Sequence, residues 1–442
     1  MSLPKYPAYK DSGVGWLGQI PSGWDAMRLK QAASVNDDAL PETTSPEFEL
    51  AYVDIGSVSL DRGIERTESF DFQNAPSRAR RVVRHGDVLV STVRTYLKAI
   101  APVVHPPENM VVSTGFAVIR PNHKLRPQYA KYVLQATGFV HEVIARSTGV
   151  SYPAINASDL VRISIPVPPL DEQATIAALL ERETAKIDAL IAEQEKLIKL
   201  LAEKRQATIS RLVARGLNPD APLKNSGVAW LGQVPAHWEI ERLGALFRQV
   251  KRQGFEDKDV LSVYRDFGVI RKDSRVDNFN KTPEDLSLYQ LVMPNDLVVN
   301  KMKGWQGSLG ISSLEGITSP DYMVFMPLHL QDSRYLHLLL RSASMVSVYR
   351  SISNGIRPAQ WRLEPEAFLA LRVVLPPVDE QERIAAFCLG EMGQLDLFVE
   401  ETAVALDLLR ERRAALVTAA VTGQVDVRGA ISRFADQEEI AA

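Results

Sequence analysis

The sequence predicts a mixed α/β fold written twice: two similar globular domains separated by an antiparallel coiled coil of two long helices, a tandem repeat of pseudo-two-fold character. Three observations predict it. SGVGWLGQIPSGW, from Ser12 to Trp24, returns as SGVAWLGQVPAHW, from Ser226 to Trp238, with nine of thirteen positions identical. PPLDEQATIAAL from Pro168 is answered by PPVDEQERIAAF from Pro376. Each of the latter opens a long stretch of helical pattern. Self-similarity in a fixed order marks a duplicated architecture. Fainter echoes keep that order between the anchors: GDVLVSTVR from Gly86 with NDLVVNKMK from Asn295, STGFAVIRP from Ser113 with SPDYMVFMP from Ser319, and STGV from Ser147 with SNGI from Ser353. The ends of the two copies stayed alike while the middles diverged.

The helices follow from local rules. After the Pro-Pro stop, Asp171 and Glu172 supply an N-cap and first-turn negative charge. No Gly or Pro then occurs before Gly216, about 45 residues and, at about 1.5 Å per residue, nearly 68 Å of helix. Ile187, Leu190, Leu197 and Leu201 lie on one stripe, and Leu395, Phe398, Leu406 and Leu409 fall on the matching stripe of the second copy; this is coiled-coil spacing. Gly390 and Gly393 weaken the second helix by roughly 1 kcal/mol each relative to Ala, enough to permit a kink. Two such helices on one chain pack most simply on each other. They run antiparallel, because the second block begins within about ten residues of the first helix's end. The expected organisation is therefore a domain over 1–168, a helix over 169–216, a domain over 217–376, a helix over 377–428, and an acidic tail over 429–442.

Within the blocks, Phe48–Val58, Asp87–Val93 and Val111–Arg120 read as strands, Pro127–Arg146 as helical and Val161–Val167 as a strand. The second block reads likewise at Asp259–Tyr264, Asp296–Lys301 and Tyr322–Met326, with a helix near Asp332–Ser351 and a strand at Leu371–Leu375.

With 442 residues, 45% apolar and 24% charged, the chain is too long for one core and too apolar for wholesale disorder. A single cysteine, Cys388, excludes an intrachain disulfide framework and a cysteine-rich zinc site, which fits a reducing cytoplasm. The N-terminus lacks the apolar core of a signal peptide, and no run of 18 apolar residues exists to span a membrane. The net charge of −3 hides a distribution: residues 379–442 carry 6 basic and 13 acidic side chains, so the two blocks before them are weakly basic.

No phosphate-binding Gly-rich loop, zinc-binding His-Glu-x-x-His helix, nucleophile elbow or Cys–His pairing is present, and the seven histidines form no repeated cluster. The expectation is a binding protein with neither catalytic nor metal-ligating residues. Basic and polar side chains do gather at strand ends. Arg78, Arg80, Arg81 and Arg84 precede the run from Asp87, and Ser91, Thr92, Arg94, Tyr96 and Lys98 close it. Asn300, Lys301, Lys303, Trp305 and Gln306 occupy the matching place in the second copy. Arg and Lys neutralise phosphates or read guanine edges, and Asn and Gln pair with adenine. Any one of these alone reads as a solvated surface charge. A cluster recurring at one place with different chemistry points to nucleic acid. Trp16, Trp24, Trp230 and Trp238 sit in the undiverged portion and read as core.

The SGVxWLGQxPxxW openings, the PPxDEQ transitions and the helix ending near EKRQATISRLVARGLNPDAPLKNSGVAWLG resemble the specificity subunit of type I restriction–modification systems over nearly the whole chain. The resemblance implies a non-catalytic subunit whose two variable domains each read one half of a bipartite site in double-stranded DNA. It implies paired helices that act as a ruler and dock two modification subunits. Those partners would carry S-adenosylmethionine and methylate adenine; restriction subunits using ATP and Mg would add translocation and cleavage. The alternative is a coiled-coil adaptor whose two domains bind proteins, which accounts for the helices but not for the basic strand ends.

Overall fold

The computed structural model describes residues 4–275, 282–355 and 361–429; the tail ISRFADQEEIAA lies outside them. The chain forms two compact units. One comprises Met1–Gln194 with Val404–Ala442, the other Glu195–Ala403. Each unit therefore contains one mixed α/β block and opposite halves of the two long helices, Leu170–Arg215 and Val378–Val421. The first helix starts one residue before Asp171, placing both acidic residues in its first turn. The second continues unbroken through Gly390 and Gly393.

In the first unit a four-stranded antiparallel sheet has the order Ile100–Pro102, Val88–Ser91, Phe116–Pro121, Ala33–Val35. A second sheet has the order Glu68–Asp71, Glu49–Val53, Met110–Ser113, Ala79–Val82, with the central pair parallel. The single strand expected over Val111–Arg120 is two strands in two sheets. The chain changes sheet at Gly115, where a Cβ would lie 2.6 Å from the Ile55 side chain. The expected helix over Pro127–Arg146 is likewise two, Pro127–Val133 and Thr137–Ala145.

The second unit repeats the first sheet strand for strand: Leu309–Ile311, Leu297–Asn300, Tyr322–Pro327, Phe247–Val250. The other sheet recurs in the same strand order but more loosely paired: Gly268–Arg271, Leu261–Tyr264, Gly316–Thr318, Gln290–Val292. Two antiparallel ribbons, Leu261–Tyr264 with Gly268–Arg271 and Gln290–Val292 with Gly316–Thr318, are joined by one parallel bridge from Val260 to Ile317, where the Ile317 amide donates to the Asp259 carbonyl at 2.8 Å. The helix expected near Asp332–Ser351 divides into Ser333–Leu340 and Ala343–Ile352, the latter started by Ser342, whose hydroxyl accepts from the Met345 amide.

The repeated motifs have matching structural tasks. Gln173 of the first Asp-Glu-Gln is fully buried; its amide donates to the carbonyls of Lys124 and Pro168 and accepts from the Arg126 amide. Gln381 donates to the Pro376 carbonyl and accepts from the Asp332 amide. A buried amide satisfied on both sides pins each helix start to its block. Tyr129 is buried with its hydroxyl 3.1 Å from the Pro166 carbonyl and 3.2 Å from that of Val421. Tyr335 stands in the same relation to Val374 and Val213. Burial pushes both phenols well above their ordinary pKa.

The helices meet antiparallel within each unit. In the first, Ile176, Leu179 and Leu180 share a core with Val417, Ala420 and Val421, and Asp188 accepts from Arg413 at 2.7 Å. In the second, Leu212 and Val213 share a core with Ile384, Cys388, Met392 and Leu395, and Arg205 donates to Asp396 at 2.6 Å. Of the eight predicted seam residues, Ile187, Leu395 and Leu406 are buried, Leu201 packs at a core margin and Leu409 is half-buried. Leu190, Leu197 and Phe398 differ from the expectation, with 46%, 40% and 56% of their surface exposed. Burial is concentrated where a helix end meets a block, and the middle of each helix is left more open. Trp24 and Trp238 are fully buried, and Trp16 and Trp230 pack on the same cores. No helix among the described residues is long and apolar enough to cross a membrane.

Candidate nucleic-acid interface

In the first unit, the end of the strand Val88–Ser91 and the loop from it to Ile100–Pro102 carry five of the candidate residues. Ser91 is buried and its hydroxyl donates to the Val93 carbonyl at 2.6 Å; the Thr92 hydroxyl donates to the Gly115 carbonyl at 2.9 Å. These two side chains shape the loop. Thr95 fastens it to a neighbouring loop, through its hydroxyl at 2.8 Å from that of Ser147 and its amide to the Pro153 carbonyl. So held, Arg94 (φ 50°) and Lys98 (φ 52°) both adopt the left-handed region. That region costs an L-residue roughly 1–2 kcal/mol, and strain of this kind persists where function requires it. What it presents is an exposed cluster: Lys98, Tyr96 with 51% of its surface exposed, and Arg94 stacked 5.1 Å over the exposed ring of Tyr152. Tyr152, from the second loop, escaped sequence reasoning because 58 residues separate it from Arg94.

The arginine quartet enters from the other sheet, with the Arg78 carbonyl accepting from the Thr114 amide next to Gly115, the residue that anchors the loop. Arg80 and Arg81 belong to the strand Ala79–Val82, with Arg80 stacked 4.7 Å over Phe72 and Arg81 half-buried. Arg78 is exposed at the strand's mouth. Arg84 reaches Asp38 at 2.9 Å and joins an ion-pair network in which Arg120 also grips Asp38 and the buried Asp87. The hydrogen bond from Arg120 is the main cause that holds the Asp38 carboxyl below its ordinary range. The four charges are thus near in sequence but differ in availability.

In the second unit, Asn300, Lys303 and Gln306 line a polar cleft of about 980 Å³. The Asn300 side chain accepts from the amides of Met302 and Lys303, fixing the turn that carries them. Lys301 instead donates to the Pro320 carbonyl at 2.6 Å. Trp305 packs edge-on to Trp361 at 5.2 Å, beneath Arg350 and outside the cleft. The opposite wall comes from the ribbon Leu261–Arg271 and includes Tyr264, Arg265 and Asp266. The Tyr264 hydroxyl is shut off from solvent and has no hydrogen-bond partner among the described residues. Nothing in the local pattern of LSVYRDFG marks these residues as site-forming; the ribbon brings them there. Among the described residues no group of three or more His, Cys, Asp or Glu is arranged to hold a metal ion.

Both sites thus hang from the same strand of the same repeated sheet, and they present different chemistry: Arg, Tyr and Lys on one, Asn, Lys, Gln and Tyr on the other. Donors and acceptors on short loops beside a fixed sheet suit reading base edges and phosphates.

Comparison with known proteins points the same way. Residues 21–200 match the family model for the type I restriction modification DNA specificity domain. The chain is 25% identical over 244 residues to the putative type I restriction enzyme MjaX specificity subunit of Methanocaldococcus jannaschii, covering 52% of this chain and 53% of that one. It is 23% identical over 245 residues to the type I restriction enzyme MjaIX specificity subunit of the same organism, covering 52% and 53%. The match spans about half the length of these curated relatives. A chain solved in work on complex assembly and conformational transition of the type I R-M system aligns with a TM-score of 0.62 at 24% identity, over 91% of this chain and 98% of that one. The fold is shared across both copies.

Proposed function

We propose that the chain, whose residues 21–200 match the type I restriction modification DNA specificity domain, is the non-catalytic specificity subunit of a type I complex. Each unit reads one half of a bipartite, asymmetric site in double-stranded DNA. The two long helices set the spacing of the half-sites and dock two modification subunits. S-adenosylmethionine would be held by those partners, and ATP and Mg by restriction subunits where these join. The observation that carries the reading is the repeated sheet: one scaffold, present in both units, delivers different polar side chains from the same strand end. Duplication with alike ends and diverged middles suits a protein that needs two like docks and two unlike half-sites.

Exchange of residues 25–165 for the corresponding segment of another specificity subunit tests it. The chimera, assembled with its modification subunits, is expected to methylate a site changed in one half and unaltered in the other, as read by methylome mapping. A change in both halves, or in neither, contradicts the proposal. The protein-binding adaptor predicts duplex binding that is undetectable or insensitive to salt, whereas phosphate contacts make it fall steeply as salt rises.

A single-residue test uses the strained loop. Arg94→Gly removes a left-handed arginine, so the fold is expected to hold its stability or gain up to about 1 kcal/mol by thermal or urea unfolding. Affinity for the cognate duplex is expected to fall about tenfold. A variant that binds as well as the parent would remove Arg94 from the interface.

A further inference from the structure

We infer that Arg341, with His337 beside it, is a positioning residue for the second unit's reading cleft: it holds the tip of the Leu261–Arg271 ribbon so that Tyr264 and Arg265 face Asn300, Lys303 and Gln306 across the space a DNA half-site enters. The inference rests on the DNA-reading function proposed above and assigns residues and a mechanism to one half of it.

Arg341 follows directly on the helix Ser333–Leu340, part of the scaffold and outside the cleft lining. One guanidinium nitrogen donates to the Arg265 carbonyl at the ribbon tip, and another donates to His337 Nε2 at 2.8 Å. An arginine can only donate, so His337 Nε2 is the acceptor; its Nδ1 then carries the proton and donates to the Ile311 carbonyl at 3.3 Å. The imidazole is therefore neutral, and burial, followed by the adjacent guanidinium, pushes its pKa down to about 4. The helix is thus tied to the ribbon tip on one side and, through the imidazole, to the scaffold strand Leu309–Ile311 on the other.

The ribbon is shaped to accept this strut. Gly268 takes φ +75°, and a Cβ there would lie 2.8 Å from both the Arg341 guanidinium and the His337 ring. Only a residue without a side chain lets the tip close onto the arginine. Arg341 itself has no ion-pair partner among the described residues, its Nε is buried without an acceptor, and burial lowers its pKa. A largely buried guanidinium left so poorly compensated is unfavourable for the fold alone. What it secures is the placement of the tip. The ribbon in turn brings the Tyr264 hydroxyl into the cleft wall, buried and without a partner among the described residues.

The test is selection of binding sites from a random duplex DNA pool by the full chain assembled with its modification subunits, comparing the parent with Arg341→Met, Arg341→Lys and Tyr264→Phe. Arg341→Met is expected to blur base preference in one half-site about tenfold or more and to leave the other half sharp. Arg341→Lys, which keeps a donor toward Arg265, is expected to restore most of that preference. Tyr264→Phe removes one oxygen that solvent does not reach, without disturbing packing, and is expected to leave the preference in both halves as in the parent. Sharp preference in both halves for Arg341→Met overturns the inference, and so does equal blurring of both halves. A parent complex that enriches no sequence overturns the DNA-reading function itself, a separate failure.

Discussion

Arg120→Met is expected to destabilise the chain by about 3–5 kcal/mol at neutral pH, the cost of breaking a buried ion pair by removing one partner. Asp87 is only 1% exposed, and its carboxylate is gripped by Arg120 through two hydrogen bonds of 2.9 and 2.8 Å; the same guanidinium donates to Asp38 at 2.6 Å. Asp87 also accepts from the Arg84 amide, so the carboxylate fixes the turn entering the strand Val88–Ser91, from which the reading loop hangs. Without Arg120 a buried negative charge keeps one amide donor and loses its counter-ion. Adding Asp87→Asn to the variant is expected to recover part of the loss, because the uncompensated charge is removed while the acceptor to Arg84 remains. The acid limb supplies a second check. Arg120 depresses the folded pKa of Asp38, so this contribution is complete above the ordinary carboxylate range and is lost as pH falls through the depressed value. The parent should lose stability in that window, and Arg120→Met should flatten the loss. Urea unfolding midpoints across pH measure both, and a shift worth less than about 1 kcal/mol would show that solvent replaces the pair.

The second copy solves the same problem differently. Asp296 is buried and accepts from the Met293 amide, as Asp87 does from Arg84, but its guanidinium comes from Arg252, at 2.6 Å. Arg120 lies at the end of Phe116–Pro121, whereas Arg252 follows the strand Phe247–Val250. The aspartate kept its place through divergence and its partner changed strands. An isolated sequence shows the aspartate in Gly-Asp-Val and Asn-Asp-Leu but gives no sign of which arginine will meet it.

That contrast marks what was legible. The scaffold could be read because it is written twice: PPxDEQ gives a buried Gln in both units, and SGVxWLGQxPxxW gives a buried Trp in both. Long helices carry their signal locally, in the absence of Gly and Pro and in the apolar period. The reading surfaces carry no such signal. Arg94, Tyr96 and Lys98 close a strand and are legible for that reason. Tyr152 reaches their surface through a loop bridged to distant Val93. Tyr264 and Arg265 reach the second cleft on a local hairpin whose placement against Asn300 and Lys303 is tertiary. Trp305 and Ser91 looked like equal candidates in a string of polar and aromatic residues. Their side chains go to Trp361 and to the Val93 carbonyl, which depends on a backbone path that composition does not specify. The split of Val111–Arg120 between two sheets has the same origin, since one glycine packed against Ile55 decides it.

Gly423→Ala is expected to cost about 2–5 kcal/mol, from roughly 1–2 kcal/mol of left-handed strain and roughly 1–3 kcal/mol of overpacking. Gly423 follows the second long helix at φ +73°, and a Cβ there would sit 2.3 Å from Pro21 Cδ and 3.3 Å from the Trp24 ring. Those residues belong to the first copy of the opening motif. Its second copy does the reciprocal work: Gly216, at φ +74° after the first helix, would place a Cβ 2.9 Å from the Trp238 ring and 3.0 Å from Glu380. Each motif is thus a cradle for the end of the helix belonging to the other copy, which explains why both tryptophans and the proline survived while the middles diverged. Each cradle needs a glycine to admit the chain. Gly423→Ala is therefore expected to unfold at lower denaturant and to assemble less completely with modification subunits, whereas Gly390→Ala, at a helix position open to solvent, should stabilise by up to about 1 kcal/mol. Equal tolerance of the two substitutions would mean that the cradle does not hold the helix end.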